Sequence, residues 1–245
     1  MNKTAIEWCT HTWNPITGCK HGCPYCYARK IAERFKGSKA WPKGFEPMFH
    51  PDRLADPGKV KTPSTIFVCS MADLFGEWVP YEWQHSVFDM CRRSPRHTYI
   101  FLTKNPYGMR DALKNWIRDH PDDARNIENW WFGVSAGDRD YSNTSQYDPV
   151  AALRYVPSKN LFISMEPLLV NFDVIYLKEI KQVIIGAQTN PDRCAGLEAV
   201  LNVCEAADKA GAKVFMKDSL AGRWPDRELR RELCWPLNKP VGVPA

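Results

Sequence analysis

The sequence predicts an α/β fold, a partial (β/α) barrel of six to seven parallel strands. Three observations predict it. Six short apolar runs, rich in β-branched and aromatic residues, recur along the 245 residues. Helix-like segments separate them, so each run passes to the next through a crossover. The runs are continuously apolar rather than alternating, which suits strands buried on both faces. The length is that of a single barrel domain.

A weaker first strand is read at 5–8. The clear strands are 65–69 (TIFVC), 98–102 (TYIFL), 130–134 (WWFGV), 161–164 (LFIS), 182–185 (QVII) and 213–216 (KVFM). Helices are read at 25–36, 81–93, 107–119, 149–155 and 196–210; in the first, Ala28, Ile31, Ala32 and Phe35 recur at helical spacing. The segment 37–63 is rich in Pro, Gly, Lys and Trp and too long for a simple connection. It is expected to pack as an irregular flap over the site. A second polar loop is read at 139–147. From Trp224 onward, Pro225, Pro236, Pro240 and Pro244 indicate a short helix and then an extended end. The domain reading is therefore a barrel over 1–220 with an insertion at about 37–63, and a C-terminal extension over 221–245 packed on or trailing from it.

Composition bounds the function. Apolar residues make up 44% and charged residues 25%, as in ordinary globular proteins. No run of about 18 apolar residues occurs, so no membrane span is expected. The first residues lack the apolar core of a signal peptide. Nine cysteines, an odd number, point to a reducing cytoplasm rather than a disulfide framework. The net charge of +5 permits a polyanionic partner. Two basic patches, Arg92, Arg93 and Arg96, and Arg223, Arg227, Arg230 and Arg231, read first as solvated helix faces or ends. Of the ten tryptophans, most suit core edges, and a minority suit base-stacking platforms.

The most informative run is Gly18-Cys19-Lys20-His21-Gly22-Cys23-Pro24-Tyr25-Cys26. Its C-x3-C-x2-C spacing puts three thiols within eight residues on a loop relaxed by two glycines. Three sulfur ligands are one short of a closed site, and an iron–sulfur cluster held this way keeps one iron open. The competing reading is three-quarters of a structural zinc site, with His11, His21 or Cys9 as fourth ligand. Structural zinc sites more often use two separated cysteine pairs, and Cys69, Cys91, Cys194, Cys204 and Cys234 are scattered singly.

The cysteine run, with aromatic Tyr25 before its third cysteine, resembles the cluster loop of the radical S-adenosylmethionine (radical SAM) superfamily. The runs TWNPITGC, FVCSMADLF, LTKNP, FGVS and SMEPLL, in this order, resemble an often phage-associated branch that has been compared with spore photoproduct lyase, which reverses a thymine lesion in DNA. The resemblance extends from about Glu7 to Asp218. It implies a [4Fe–4S] cluster on Cys19, Cys23 and Cys26, with S-adenosylmethionine on the fourth iron. One electron then cleaves the sulfonium and releases a 5′-deoxyadenosyl radical that abstracts hydrogen. A reductant such as flavodoxin or ferredoxin is implied as a partner.

Polar residues follow almost every predicted strand: Ser70 and Asp73; Thr103 and Lys104; Ser135 and Asp138; Glu166; Gln188 and Asn190; Lys217, Asp218 and Ser219. Ligands bind at the C-terminal strand ends of such folds. Any one of these residues reads as a turn or cap, yet Lys104, Glu166, Gln188 and Lys217 are not favoured cappers. By the resemblance, Ser70, Met71 and Asp73 stand where the methionine amine is recognised, and Lys104 and Ser135 where its carboxylate and the ribose are held. Glu166, Gln188 and Tyr25 complete the cofactor-binding set. Departures are the three-residue first gap, Gly186-Ala187-Gln188-Thr189 where many members have Gly-Gly-Glu-Ser, and Cys9 and Cys69 in place of uncharged polar residues. At a strand end, Cys69 is a candidate hydrogen-atom donor, against the plainer reading of a buried, inert thiol. The positive charge, the aromatics and the lyase likeness favour a nucleic acid or nucleotide substrate. A protein, peptide or small-metabolite substrate is the alternative, and a non-enzymatic zinc-containing nucleic-acid-binding protein is the alternative of another class.

Overall fold

The computed structural model describes residues 1–123, 127–138, 148–172, 177–189, 192–224 and 228–237. The loop read at 139–147, together with Asn190, Arg227, Pro225, Pro240 and Pro244, lies outside them. In chain order the elements are β1 (Asn2–Lys3), β2 (His11–Trp13), β3 (Ile16–Thr17), α1 (Tyr27–Arg34), β4 (Met48–Phe49), α2 (Asp56–Lys59), β5 (Thr65–Val68), α3 (Tyr81–Arg93), β6 (Thr98–Thr103), α4 (Pro106–Asp119), β7 (Trp130–Ser135), α5 (Pro149–Leu153), β8 (Leu161–Met165), β9 (Gln182–Ile185), β10 (Gln188–Thr189), β11 (Asp192–Arg193), α6 (Leu197–Ala210) and β12 (Lys213–Met216).

One sheet runs in the order β1-β2-β5-β6-β7-β8-β9-β12. Its last seven strands are parallel, and β1 joins β2 antiparallel at the edge. The expected α/β barrel of six to seven parallel strands is the one observed. Strand alternation sends successive side chains to opposite faces. Ile66, Tyr99, Phe101, Phe132, Ile163 and Val183 pack outward under the helices in the main core. Phe67, Ile100, Trp131, Phe162, Ile184 and Phe215 point the other way and form a separate inner cluster with Trp8, Cys9 and Trp235. Trp8 packs on Phe67 at 4.8 Å, and Trp235 meets Trp131 at 5.0 Å and Phe162 at 5.5 Å. The Trp235 indole N–H donates to Trp8 O at 2.8 Å, so the two ends of the chain plug the curled sheet together.

The chain around Arg231 runs along the free edge of β12. Met216 N donates to Arg230 O at 2.8 Å and Glu232 N to Val214 O at 3.1 Å. Arg231 Nη1 reaches Glu7 at 2.7 Å, tying this edge to the first residues.

Two expectations are corrected. Residues 5–8 hold a turn, with Cys9 N donating to Ile6 O at 3.3 Å, and the first parallel strand is β2. Trp8, and Cys9 just beyond it, are buried in the inner plug instead. The segment 37–63 contains β4, paired with β3, and α2, and it contributes no residue to either cavity described below. Trp41 and Phe45 pack instead on Ala28 and Ala32 of α1 beside Cys19 and Cys26, so the segment braces the cysteine loop from outside.

Candidate active site

The cysteine loop follows β3 and is held on two sides. Gly18 N donates to Met71 O at 2.9 Å, and Cys19 N to Phe45 O at 3.2 Å. Gly18 has φ +87°, and a Cβ there would stand 2.2 Å from Glu46 O, so only glycine allows this approach. Cys26 N donates to Cys23 O at 3.2 Å, closing a turn that delays α1 to Tyr27. Arg29 Nη2 donates to Cys19 O at 3.1 Å, and its guanidinium lies 5.0 Å from the Phe45 ring centroid.

Cys19 and Cys23 line a cavity of about 630 Å³ that occupies the mouth and interior of the curled sheet. The same cavity is lined by Asn14, Ser70, Met71, Asp73, Lys104, Ser135, Ser164, Glu166 and Lys217, with Trp8 and Phe67. A smaller one, about 450 Å³, adjoins Cys23, Trp78, Lys104 and Asp138. Cys26 lines neither; its Sγ accepts from Arg29 N at 3.4 Å and caps α1. Among the described residues, no three Cys, His, Asp or Glu side chains are grouped closely enough to hold a metal ion. All three thiols are free. Burial pushes Cys19 up to about 12, against a hydrogen bond from the His21 backbone, and Asp73, Cys23 and Cys26 each add to the rise. Burial also raises Cys23, with Lys104 opposing it.

Asp73 is buried and takes four donors. Its Oδ1 accepts from Thr103 Oγ1 at 2.7 Å and Phe75 N at 3.0 Å. Its Oδ2 accepts from Lys104 N at 2.9 Å and pairs with His21 Nε2 at 2.7 Å. The carboxylate therefore ties the cysteine loop to the ends of β5 and β6. A second tie joins Tyr25, which donates to Asp138 Oδ2 at 2.6 Å, to Lys104, whose Nζ donates to the same oxygen at 2.7 Å and to Tyr25 Oη at 3.0 Å. Asn14 Oδ1 accepts from Met71 N at 2.9 Å and sits 3.3 Å from Ser70 Oγ, fixing the turn beyond β5. Cys69 starts that turn in the left-handed region, φ 57°.

Across the sheet, Glu166 and Lys217 approach to 3.4 Å. Burial pushes the Glu166 carboxyl up from its usual range, while Lys217 and Trp8 favour its charged form. Ser135 and Ser164 are register partners on β7 and β8.

Of the residues expected from the sequence, Cys19, Cys23, Ser70, Met71, Asp73, Lys104, Ser135 and Glu166 share one cavity, and Tyr25 is joined to it through Lys104. Cys69 and Gln188 are not part of it. Cys69 is buried in the helix-side core and raised to about 12 by that burial. Gln188 lies in the β10–β11 ribbon. Sequence reasoning passed over Asn14, Ser164 and the role of His21 as partner of Asp73. Asn14 stood inside the run TWNPITGC, and Ser164 is the one polar residue in LFIS; both signals were present. The basic patches are largely neutralised: Arg223 pairs with Asp192 at 2.5 Å, Arg230 with Asp208 at 2.8 Å and Arg92 with Asp123 at 3.2 Å.

A family model described as "Protein of unknown function (DUF5131)" matches residues 3–233. The chain belongs to this family. No curated protein matches it. Among solved structures it is similar to a Tyr-to-Phe mutant of spore photoproduct lyase, 15% identical with a TM-score of 0.56 over 87% of this chain and 78% of that one. A Cys-to-Ala mutant of the lyase is 16% identical, TM-score 0.54, over 88% and 79%. The lyase complexed with dinucleoside spore photoproduct is 16% identical, TM-score 0.50, over 85% of this chain but only 63% of that one. Spore photoproduct lyase is a radical SAM enzyme, and at these identities the likeness is one of fold alone: the partial (β/α) barrel expected from the sequence. No helix among the described residues is long and apolar enough to cross a membrane.

Proposed function

We propose that the protein is a radical SAM enzyme acting on a nucleic acid or nucleotide. Cys19, Cys23 and Cys26 would hold a [4Fe–4S] cluster, and S-adenosylmethionine would lie across the cavity mouth. What carries the reading is that Cys19 and Cys23 line the same cavity as the strand-end residues Ser70, Lys104, Ser135 and Glu166. The donor set suits the cluster in type and number. Soft thiols select iron–sulfur centres, and Cys19 and Cys23 already face one cavity from the two ends of the same short loop. The Cys26 cap is a weak sulfur acceptor, so giving it up costs little. When bound, the pair of cofactors supplies reductive cleavage of the sulfonium, with an electron from a flavodoxin- or ferredoxin-type reductant, and hydrogen abstraction from the substrate.

The chain's own residues bind and orient. Lys104 is anchored by Asp138 and Tyr25, which leaves its cation beside Cys23 at the mouth. Ser135 and Ser70 offer hydroxyls to ribose or amine groups. The aromatic plug of Trp8, Phe67 and Trp235 shuts water out of the far end. Asp73 acts as an anchor for the loop, since its four donors already use the carboxylate.

The nucleic-acid assignment draws on the net charge, on the exposed basic collar of Lys30, Arg34, Lys36, Lys39 and Lys43 beside the cysteine loop, and on the lyase's dinucleoside ligand by analogy. Gel shifts with single- and double-stranded DNA and RNA, at about 50 and 200 mM salt, test it. Binding that weakens steeply with salt, and nucleic acid that raises the yield of 5′-deoxyadenosine, support the assignment. Binding of neither polymer at low salt removes it.

A further inference from the structure

The cavity contains polar groups that its own fold leaves unsatisfied. Ser164 is 1% exposed, lines the cavity, and its Oγ has no hydrogen-bond partner. Trp8 is 1% exposed and lines the same cavity; its indole N–H is directed toward the Glu166 carboxylate, favouring the charged form, but closes no well-formed hydrogen bond there. Buried polar atoms are almost always paired, and each that is not carries an uncompensated desolvation cost. Two such atoms opening on one cavity mark a place where a ligand completes the hydrogen bonding. Beside them, Glu166 Oε1 is also without a hydrogen-bond partner, its Lys217 neighbour standing 3.4 Å away. Phe67 and Leu102 supply apolar walls. Gly186 keeps this corner open, since a Cβ there would come within 3.0 Å of the Lys217 side chain and 3.3 Å of Glu166.

Donors and acceptor alternate here. The Lys217 ammonium and the Trp8 indole can only donate, while the Glu166 carboxylate can only accept when ionised. The complement of an acceptor beside donors is an N–H beside a carbonyl, on a flat ring that fits between apolar walls. We propose that Trp8, Ser164, Glu166 and Lys217 form a substrate-recognition subsite for a heterocycle with a lactam edge, its ring N–H on Glu166 and its carbonyl on Lys217 or Trp8. Thymine, uracil and guanine carry that edge; cytosine does not. The inference rests on the nucleic-acid reading above and moves Glu166 from the cofactor to the substrate.

Isothermal titration of the full-length protein with thymidine, N3-methylthymidine and deoxycytidine tests the subsite without requiring turnover. Thymidine is expected to bind about tenfold tighter than either of the others, the scale of one hydrogen bond to a charged group. In Glu166→Gln the amide can donate to the cytosine ring nitrogen, so the preference for thymidine over deoxycytidine should shrink to about twofold or less. Ser164→Ala should weaken thymidine binding while the far-ultraviolet circular dichroism stays unchanged. Equal binding of the three nucleosides by the wild-type chain, no binding of any, or a preference that survives in Glu166→Gln overturns the subsite. If the chain still binds DNA and forms 5′-deoxyadenosine in that case, the subsite alone is wrong. If it does neither, the functional reading fails with it.

Discussion

The Lys104 ammonium, at the end of β6, stands 2.7 Å from the Asp138 carboxylate beyond β7. Tyr25 of the cysteine loop donates to the same carboxylate oxygen. One ion pair thus joins two strand ends to the loop that carries the three thiols. Asp138→Asn should free the loop. Hydrogen exchange of the backbone amides at 19–26 should rise, with a stability loss of about 1–2 kcal/mol for a partly buried charged hydrogen bond. Unchanged exchange in that stretch would show that the loop is held elsewhere.

Asp73 is the other tie, and its loss should cost more. Asp73→Ala strands the Thr103 hydroxyl and the backbone N–H groups of Phe75 and Lys104 in a buried place. We expect a loss of roughly 2–4 kcal/mol by urea denaturation, because unsatisfied buried donors carry the full desolvation penalty. A change within about 0.5 kcal/mol would mean that water replaces the carboxylate there.

Gly133 faces the interior, and Phe162, its register partner, fills the space a side chain would need. A Cβ on Gly133 would stand 2.4 Å from the Phe162 ring. Gly133→Ala should therefore destabilise by about 1–3 kcal/mol, and adding Phe162→Leu should recover part of that. Additive losses in the double variant would contradict the packing described.

His97 is buried, with Nδ1 accepting from Ser64 N at 3.2 Å and Nε2 placed to donate to Pro57 O at 2.9 Å. An acceptor nitrogen requires the neutral ring, and burial lowers its proton affinity further. The unfolded chain takes up the proton first as pH falls. The stability that the neutral ring contributes is therefore complete above the ordinary histidine range and is lost as pH drops through the depressed value. Burial lowers His50 in the same direction. Urea midpoints at pH 7.5 and pH 5.5 should fall with pH in the wild type, and fall less in His97→Gln.

Much of this fold is legible in the sequence because the strands are short, continuous and apolar, and because α3 and α4 carry strong helical periodicity. The first strand is not. β2 has three residues and one large apolar side chain, while the more apolar stretch before it serves as a plug. Ala28, Ile31 and Ala32 of α1, with Phe35 at its C-terminal end, recur at helical spacing. Only the alanines are buried; Ile31 is 40% and Phe35 51% exposed, because Trp41 and Phe45 cover the small-residue face alone. Helical periodicity gives a face but not the width of what packs on it. At the site, residues beyond strand ends were visible as polar groups where a core needs none. Their partners were not: His21 with Asp73 and Tyr25 with Asp138 join residues 52 and 113 positions apart. Only the folded barrel brings such pairs together.

The most direct test of the central claim uses anaerobically purified, reconstituted protein. Iron and sulfide are counted, then dithionite and S-adenosylmethionine are added and 5′-deoxyadenosine is sought by mass spectrometry, with Cys23→Ala as control. About four irons per chain are expected, with deoxyadenosine formation that disappears in the variant. Stoichiometric zinc without iron or sulfide would contradict it and leave a zinc-containing nucleic-acid-binding protein in its place.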